Sequence, residues 1–229
     1  MPKIQPLEDC LTKFKETLDS DVKSLMTLYV AEHAKPGPSA SWLSALLRSS
    51  CVLLVANFEN FIEGLFCTAL THLANTGLVA DKYPTRFRYW LFRKETHMRH
   101  IGVDAAKDYI ELSQRLFSPV RQLQLAELRL DDLKEEFANP TPANVNWMAD
   151  LFDQKDYVEG IELTVLGVAT KAKAAIGELA KRRNDIAHGD TTQKPKDTDV
   201  TRLAKFCQLF ANQLTKDVTK WTNKCTNAG

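Results

Sequence analysis

The chain has 229 residues, 44% of them hydrophobic and 26% charged, and a formal net charge of +1. This is the composition of one ordinary globular domain spanning 1–229, with enough apolar material for a real core. It excludes a chain that grips nucleic acid everywhere through bulk charge, so any such grip must be a local patch. Cys10, Cys51, Cys67, Cys207 and Cys225 are scattered, with no Cys/His spacing of the zinc-binding kind. The first four lie in apolar helical runs and are expected to be buried free thiols, which fits a reducing compartment. Residues 1–20 hold no uncharged apolar core of a secretory signal, and the run from Ser49 to Ala56 is too short to span a bilayer. The expectation is a cytoplasmic protein with no membrane partner.

In chain order, Leu7, Leu11, Phe14, Leu18, Val22, Leu25 and Tyr29 recur in steps of three and four. That period predicts one amphipathic helix, ended by Lys35-Pro36-Gly37-Pro38. Ser39 or Ser41 can cap the next helix, whose apolar positions from Leu43 to Leu70 form so wide a face that it must be a buried central helix. Asn75-Thr76-Gly77 reads as its stop. The segment 79–157 is less regular and is expected to be a helical insertion or hairpin. It has helices near 104–117 and 120–137 around Ser118-Pro119, and a short helix near 143–152 with Thr141 as its cap and Pro142 in its first turn. From Tyr157 to His188 the pattern reads as helix, closed by Gly189 as a left-handed cap. Val200, Leu203, Cys207, Phe210, Leu214, Val218 and Trp221 mark a clean last helix. No segment alternates with period two for long, so the predicted class is all-α.

The chemistry concentrates in Lys181-Arg182-Arg183-Asn184-Asp185-Ile186-Ala187-His188-Gly189. At about 100° per residue, Asn184 and His188 share one helical face with Asp185 beside them, while Ile186 and Ala187 turn toward the core and Arg183 sits one position further round. Cutting RNA without metal needs a group to take the 2′-OH proton, an acid for the leaving 5′ oxygen, and positive charge on the phosphorane oxygens. Histidine suits proton transfer near neutrality. The permanently charged, two-pronged guanidinium suits phosphate. One copy supplies one histidine, so acid and base on opposite sides of the scissile bond point to a two-fold dimer. The bare Arg-x4-His spacing is weak, since Arg93 and His100 form a second loose match. His188 and Gly189 can equally be a plain helix end. The specificity lies in the whole string at a helix terminus before the last core helix.

That string resembles the Arg-x4–6-His signature of the HEPN superfamily. The helix carrying Asn57-Phe58-Glu59-Asn60-Phe61-Ile62-Glu63-Gly64 is similar to the aromatic-acidic helix of its stand-alone bacterial families, closest to the RiboL-PSP-associated type. The likeness lies in residues 41–75 and 165–222. It implies an up-and-down bundle with a HEPN-like core, and a homodimeric, metal-independent endoribonuclease that leaves a 2′,3′-cyclic phosphate. Such enzymes act in toxin–antitoxin or phage-defence systems, with an antitoxin or defence-system partner. On this resemblance Arg183 and His188 match the catalytic pair and Asn184 its polar neighbour, with no cofactor and RNA as substrate. Members controlled by a nucleotidyltransferase carry a tyrosine three residues after the histidine, where this chain has Thr191. The alternative is a non-catalytic HEPN-like module binding RNA, a nucleotide or a protein.

Around this tract, Asp185, Glu59 and Glu63 are candidates to orient Arg183 or His188, because a carboxylate on a buried helix needs a partner. With no histidine near it on that helix, the Glu59/Glu63 pair is not expected to hold a metal. Lys181 and Arg182 are candidates for RNA contact, as are Arg86, Arg88, Arg93 and Lys94, which interleave with Phe87, Tyr89, Trp90 and Phe92. Cations with exposed aromatics hold phosphates and stack bases. The same pattern also fits a helix that buries its aromatics and solvates its arginines.

Overall fold

The computed structural model describes residues 2–35, 42–98, 105–189 and 195–227. It is an all-α bundle, with α1 (Gln5–Thr17), α2 (Ser24–His33), α3 (Trp42–Asn75), α4 (Thr85–Met98), α5 (Ala105–Leu116), α6 (Leu130–Glu136) and α7 (Pro142–Asp150) in chain order. An antiparallel hairpin follows, β1 (Glu162–Val165) and β2 (Val168–Lys171), and then α8 (Ala172–Ala187) and α9 (Asp197–Asn227).

The sequence dictates the centre of this arrangement. α3 carries apolar residues around most of its circumference, so one covering helix cannot bury it. It packs against α1, α2, α8 and α9, and Leu54, Phe58, Ile62, Leu65, Phe66 and Leu70 are fully buried. Phe58 sits between Phe14 of α1, 6.3 Å away by ring centroids, and Phe210 of α9 at 5.8 Å. Lower down, Phe66 meets Phe152 at 5.6 Å and Trp221 at 6.5 Å. By length and composition α3 could reach across a bilayer, which the Ser49–Ala56 run alone does not indicate. Here its apolar surface is that of a core helix.

Several expected elements take a different form. The first helix is not uniform: Leu18–Lys23 forms a π-helical segment between α1 and α2. The wider turn shifts the phase of the apolar stripe. Leu7, Leu11, Phe14, Leu18 and Val22 are buried as the period predicts, whereas Leu25 and Tyr29 are only partly so and α2 buries no residue fully. The expected helix at 120–137 is broken. Val79 bridges Gln122, and the Glu127 carboxylate accepts from the Gln124 amide and from Arg121, each at 2.8 Å, closing a short 3-10 turn over Leu125–Leu128. Arg129 then adopts a left-handed conformation (φ 50°) before α6 starts.

The stretch from Tyr157 to Lys171, read as helix, is a 3-10 turn and the hairpin. Glu162-Leu163-Thr164-Val165 pairs with Val168-Ala169-Thr170-Lys171. Leu166 and Gly167 both have positive φ (48° and 83°), the requirement of a two-residue hairpin turn of the tightest kind. Each strand has only four residues, too few for alternation to stand out. Of the cysteines, Cys51, Cys67 and Cys207 are buried free thiols as expected, while Cys10 is half-buried. Thr141 does cap α7, its Oγ1 accepting from the Asn144 amide at 3.2 Å, with Pro142 opening the helix.

If the α1–α3–α9 aromatic seam is the centre of the core, Phe58→Ala should lower unfolding free energy by about 3–5 kcal/mol. Urea denaturation measures this, and a loss under about 1 kcal/mol would place the core elsewhere.

Candidate functional site

The site is built at the C-terminal end of α8, where three pieces of chain meet. Ala172, Ala175, Ile176, Leu179 and Ala180 bury the inner face of α8, which fixes its rotation and turns residues 181–188 outward or along the seam with α3. The helix ends at His188, whose backbone N–H reaches the Asn184 carbonyl at 2.9 Å. Gly189 follows at φ +78°, the left-handed position that L side chains resist, and its N–H bonds the Ile186 carbonyl at 3.1 Å. The tract thus stops one residue after the imidazole. Ile186 packs against the core, whereas Ala187 is exposed rather than inward, because the final turn has already left the bundle.

Arg183 is half-buried, and its Nη1 donates to the Asn184 Oδ1 at 3.2 Å. Its charge also acts on Glu59 of α3. Burial raises the Glu59 carboxyl above its ordinary value, Arg183 works against that rise, and Glu63 one turn on adds to it. Glu59 is therefore the acidic residue in the field of Arg183. Glu63 lies instead among Lys134, Asp131 and the Cys67 thiol. Of the two carboxylates of α3, Glu59 is the one on which the charge of Arg183 acts.

The His188 side chain is exposed and has no hydrogen bond among the described residues. Asp185 is paired with Lys181 at 2.8 Å on the solvent side of α8. Arg182 is held between Glu178 at 2.9 Å and Asp199 of α9 at 3.2 Å, and Arg202 joins Glu178 at 2.7 Å. This network ties the end of α8 to the start of α9 and occupies the Arg182 guanidinium. Thr191 lies outside the described residues.

Sequence reasoning missed one participant. Asn139, from the linker between α6 and α7, donates through Nδ2 to the Asn184 Oδ1 at 3.5 Å. Its own carbonyl accepts from the Thr141 amide and from Asn144 Nδ2, both at 2.8 Å. In the sequence, Asn139-Pro140-Thr141-Pro142 reads as a linker and a cap. Its approach to a helix 45 residues later does not show there.

The basic aromatic stretch divides. Phe87, Trp90 and Leu91 are buried, and Trp90 Nε1 donates to Glu136 at 3.0 Å. Lys94 is paired with Glu136 as well. Arg88 lies over the Phe117 ring, 4.7 Å from its centroid, and burial lowers its pKa. Arg86 faces Asp150 at 3.8 Å, while its backbone N–H and that of Thr85 are capped by Asp153. Exposed on one face of α4 are Arg86, Tyr89 and Arg93, at spacings of three and four residues. His100 lies outside the described residues, so the Arg93/His100 spacing has no geometry to compare.

The raised Glu59 pKa has a stability consequence. A carboxyl whose folded pKa is raised contributes most below its unfolded value, near 4.5, and loses that contribution as pH rises through the folded value. Glu59→Gln should therefore hold or raise the melting temperature at pH 7 and leave it unchanged at pH 4. A clear drop confined to pH 7 would mean the charge on Glu59 stabilises the fold through Arg183.

No curated protein and no solved structure matches the chain. A family model, RiboL-PSP-HEPN, matches residues 16–220, running through the middle segment as well as the two stretches that carry the sequence likeness. The chain with this Arg183–Asn184–His188 helix end belongs to the RiboL-PSP-HEPN family.

Proposed function

We propose that this chain is a metal-independent endoribonuclease that cleaves by attack of the ribose 2′-OH, leaving a 2′,3′-cyclic phosphate and a 5′-OH. The HEPN superfamily is commonly one of ribonucleases. The observation that carries the reading is the helix end itself. A guanidinium bonded to Asn184, whose charge acts on Glu59, shares this helix end with an exposed imidazole one turn from that asparagine.

In this mechanism Arg183 holds the non-bridging oxygens, where charge grows as the phosphorane forms. His188 moves a proton, to or from the ribose side or the leaving oxygen. Asn184 positions the ribose or phosphate. The second proton-transfer group is the His188 of a second copy, so the working unit is a two-fold homodimer with its tracts facing across the axis. RNA flanking the scissile bond runs over the exposed face of α4, where Arg86 and Arg93 meet phosphates and Tyr89 stacks on an unpaired base. Action in the cytoplasm, as a toxin or in phage defence with an antitoxin or defence-system partner, accords with the family resemblance.

Wild-type protein in EDTA should cut single-stranded RNA to cyclic-phosphate ends. His188→Ala should lower the rate by about 10²–10⁴-fold, and Arg183→Ala by about 10²–10³-fold. Equal cutting by wild type and His188→Ala, or a strict need for a divalent ion, would remove the assignment. Separately, Tyr89→Ala with Arg93→Ala should weaken RNA binding and flatten its salt dependence. Fluorescence anisotropy across a salt series reads this, and unchanged affinity would take α4 out of the RNA path.

A further inference from the structure

The amide of Asn184 is shared in an unusual way. Its Oδ1 accepts from two donors, Arg183 Nη1 at 3.2 Å and Asn139 Nδ2 at 3.5 Å. A carboxamide oxygen has two lone pairs, so these two donors fill it. What Asn184 retains for a substrate is its pair of N–H donors. The direction of the amide is fixed by the same contact, since turning it over would set its NH2 against two other donors.

Asn139 is well placed to impose that direction. Its backbone carbonyl is held by the Thr141 amide and by Asn144 Nδ2, both at 2.8 Å, at the capped start of α7. The linker is therefore a rigid support rather than a loose strand. Asn139 also bears a cost that stability alone does not account for: its Oδ1 is buried with no hydrogen-bond partner among the described residues. A buried, unpaired carbonyl oxygen is unfavourable because it has lost its bonds to water and gained none in return. An apolar side chain of the same size would avoid that penalty.

We infer that Asn139 is a positioning residue: it fixes the Asn184 carboxamide so that the oxygen restrains Arg183 and the nitrogen faces the substrate as a donor. The inference rests on the endoribonuclease reading for its catalytic consequence, but not for its structural one. It assigns the linker between α6 and α7 to the site, and it makes Asn184 a donor to a phosphate or ribose oxygen rather than an acceptor.

The test variant is Asn139→Leu, which keeps the branching and the number of heavy atoms and removes the donor and the orphaned oxygen together. The melting temperature should stay level or rise. In EDTA-resistant RNA cleavage kcat should fall on the order of ten-fold or more with KM unchanged, as expected for lost orientation. In an Asn184→Ala background the same substitution should cost nothing further, because the effect passes through Asn184. Wild-type kcat, a loss confined to KM, or an equal loss in the Asn184→Ala background would overturn the inference. If the wild type cuts no RNA, the function has failed and the positioning claim is read by NMR. Asn139→Leu should shift the Asn184 side-chain amide and the Arg183 guanidinium resonances, and unchanged resonances would overturn it. If that variant does not fold, Asn144→Ala, which removes one of the two bonds that hold the Asn139 carbonyl, should move the same resonances, and the inference is overturned if it does not.

Discussion

Everything in this fold follows from the need to cover α3. A helix apolar on nearly every side cannot rest on a single neighbour. Each Leu or Phe removed from water contributes about 1.5–3 kcal/mol, so the penalty for leaving one face open would rival the net stability of a domain. The chain meets this by wrapping α3 with α1, α2, α8 and α9. Where α3 does present carboxylates, at Glu59 and Glu63, the covering elements must bring positive charge. Beside Glu59 that charge is Arg183, and around Glu63 it is Lys134. The tract thus lies where the core helix stops being apolar, and its arginine offsets part of the rise that burial imposes on the Glu59 carboxyl.

The parts of this picture legible in the sequence are those set by long-period patterns. The apolar positions of α3 and α9 repeat over many turns, so their existence and buried faces could be read directly. The Arg183–His188 string could be read too, because a helix end followed by glycine has a local signature that Gly189 then fulfils at φ +78°. What was not legible is short or distant. Four-residue strands closed by Leu166-Gly167 do not alternate long enough to compete with a helical reading. A π-helical segment at Leu18–Lys23 leaves the residue spacing nearly unchanged while shifting which face is buried. The break at 120–137 depends on Glu127 bonding backward to Gln124 and Arg121, a choice no periodicity encodes.

Asn139 is the most instructive of the unread features, because its type and its local context were both plain. An asparagine before a proline reads as turn chemistry, and it does serve that turn through its carbonyl. Its side chain meanwhile reaches α8. The same short stretch reaches α4 through Glu136, which receives Trp90 and Lys94. Residues 136–139 therefore touch both the basic aromatic helix and the tract. The middle segment is joined to the site by side-chain contacts rather than standing beside it, in keeping with a family match whose bounds, 16 and 220, enclose it.

The two proposed reacting side chains are held very differently, and the difference bears on assembly. Arg183 is restrained by Asn184 and, through Asn184, by Asn139. His188 stands at the helix terminus, exposed, with its backbone fixed by the Asn184 carbonyl. A phosphate-binding cation can be placed in advance, because its partner arrives with a fixed charge and shape. A proton-transfer group must instead be aligned to a hydrogen whose position depends on the bound ribose. An imidazole at the lip of a two-fold interface would gain that alignment only when RNA and a second tract close around it. The catalytic geometry would then be completed by association, which couples cleavage to the dimer rather than to the single chain.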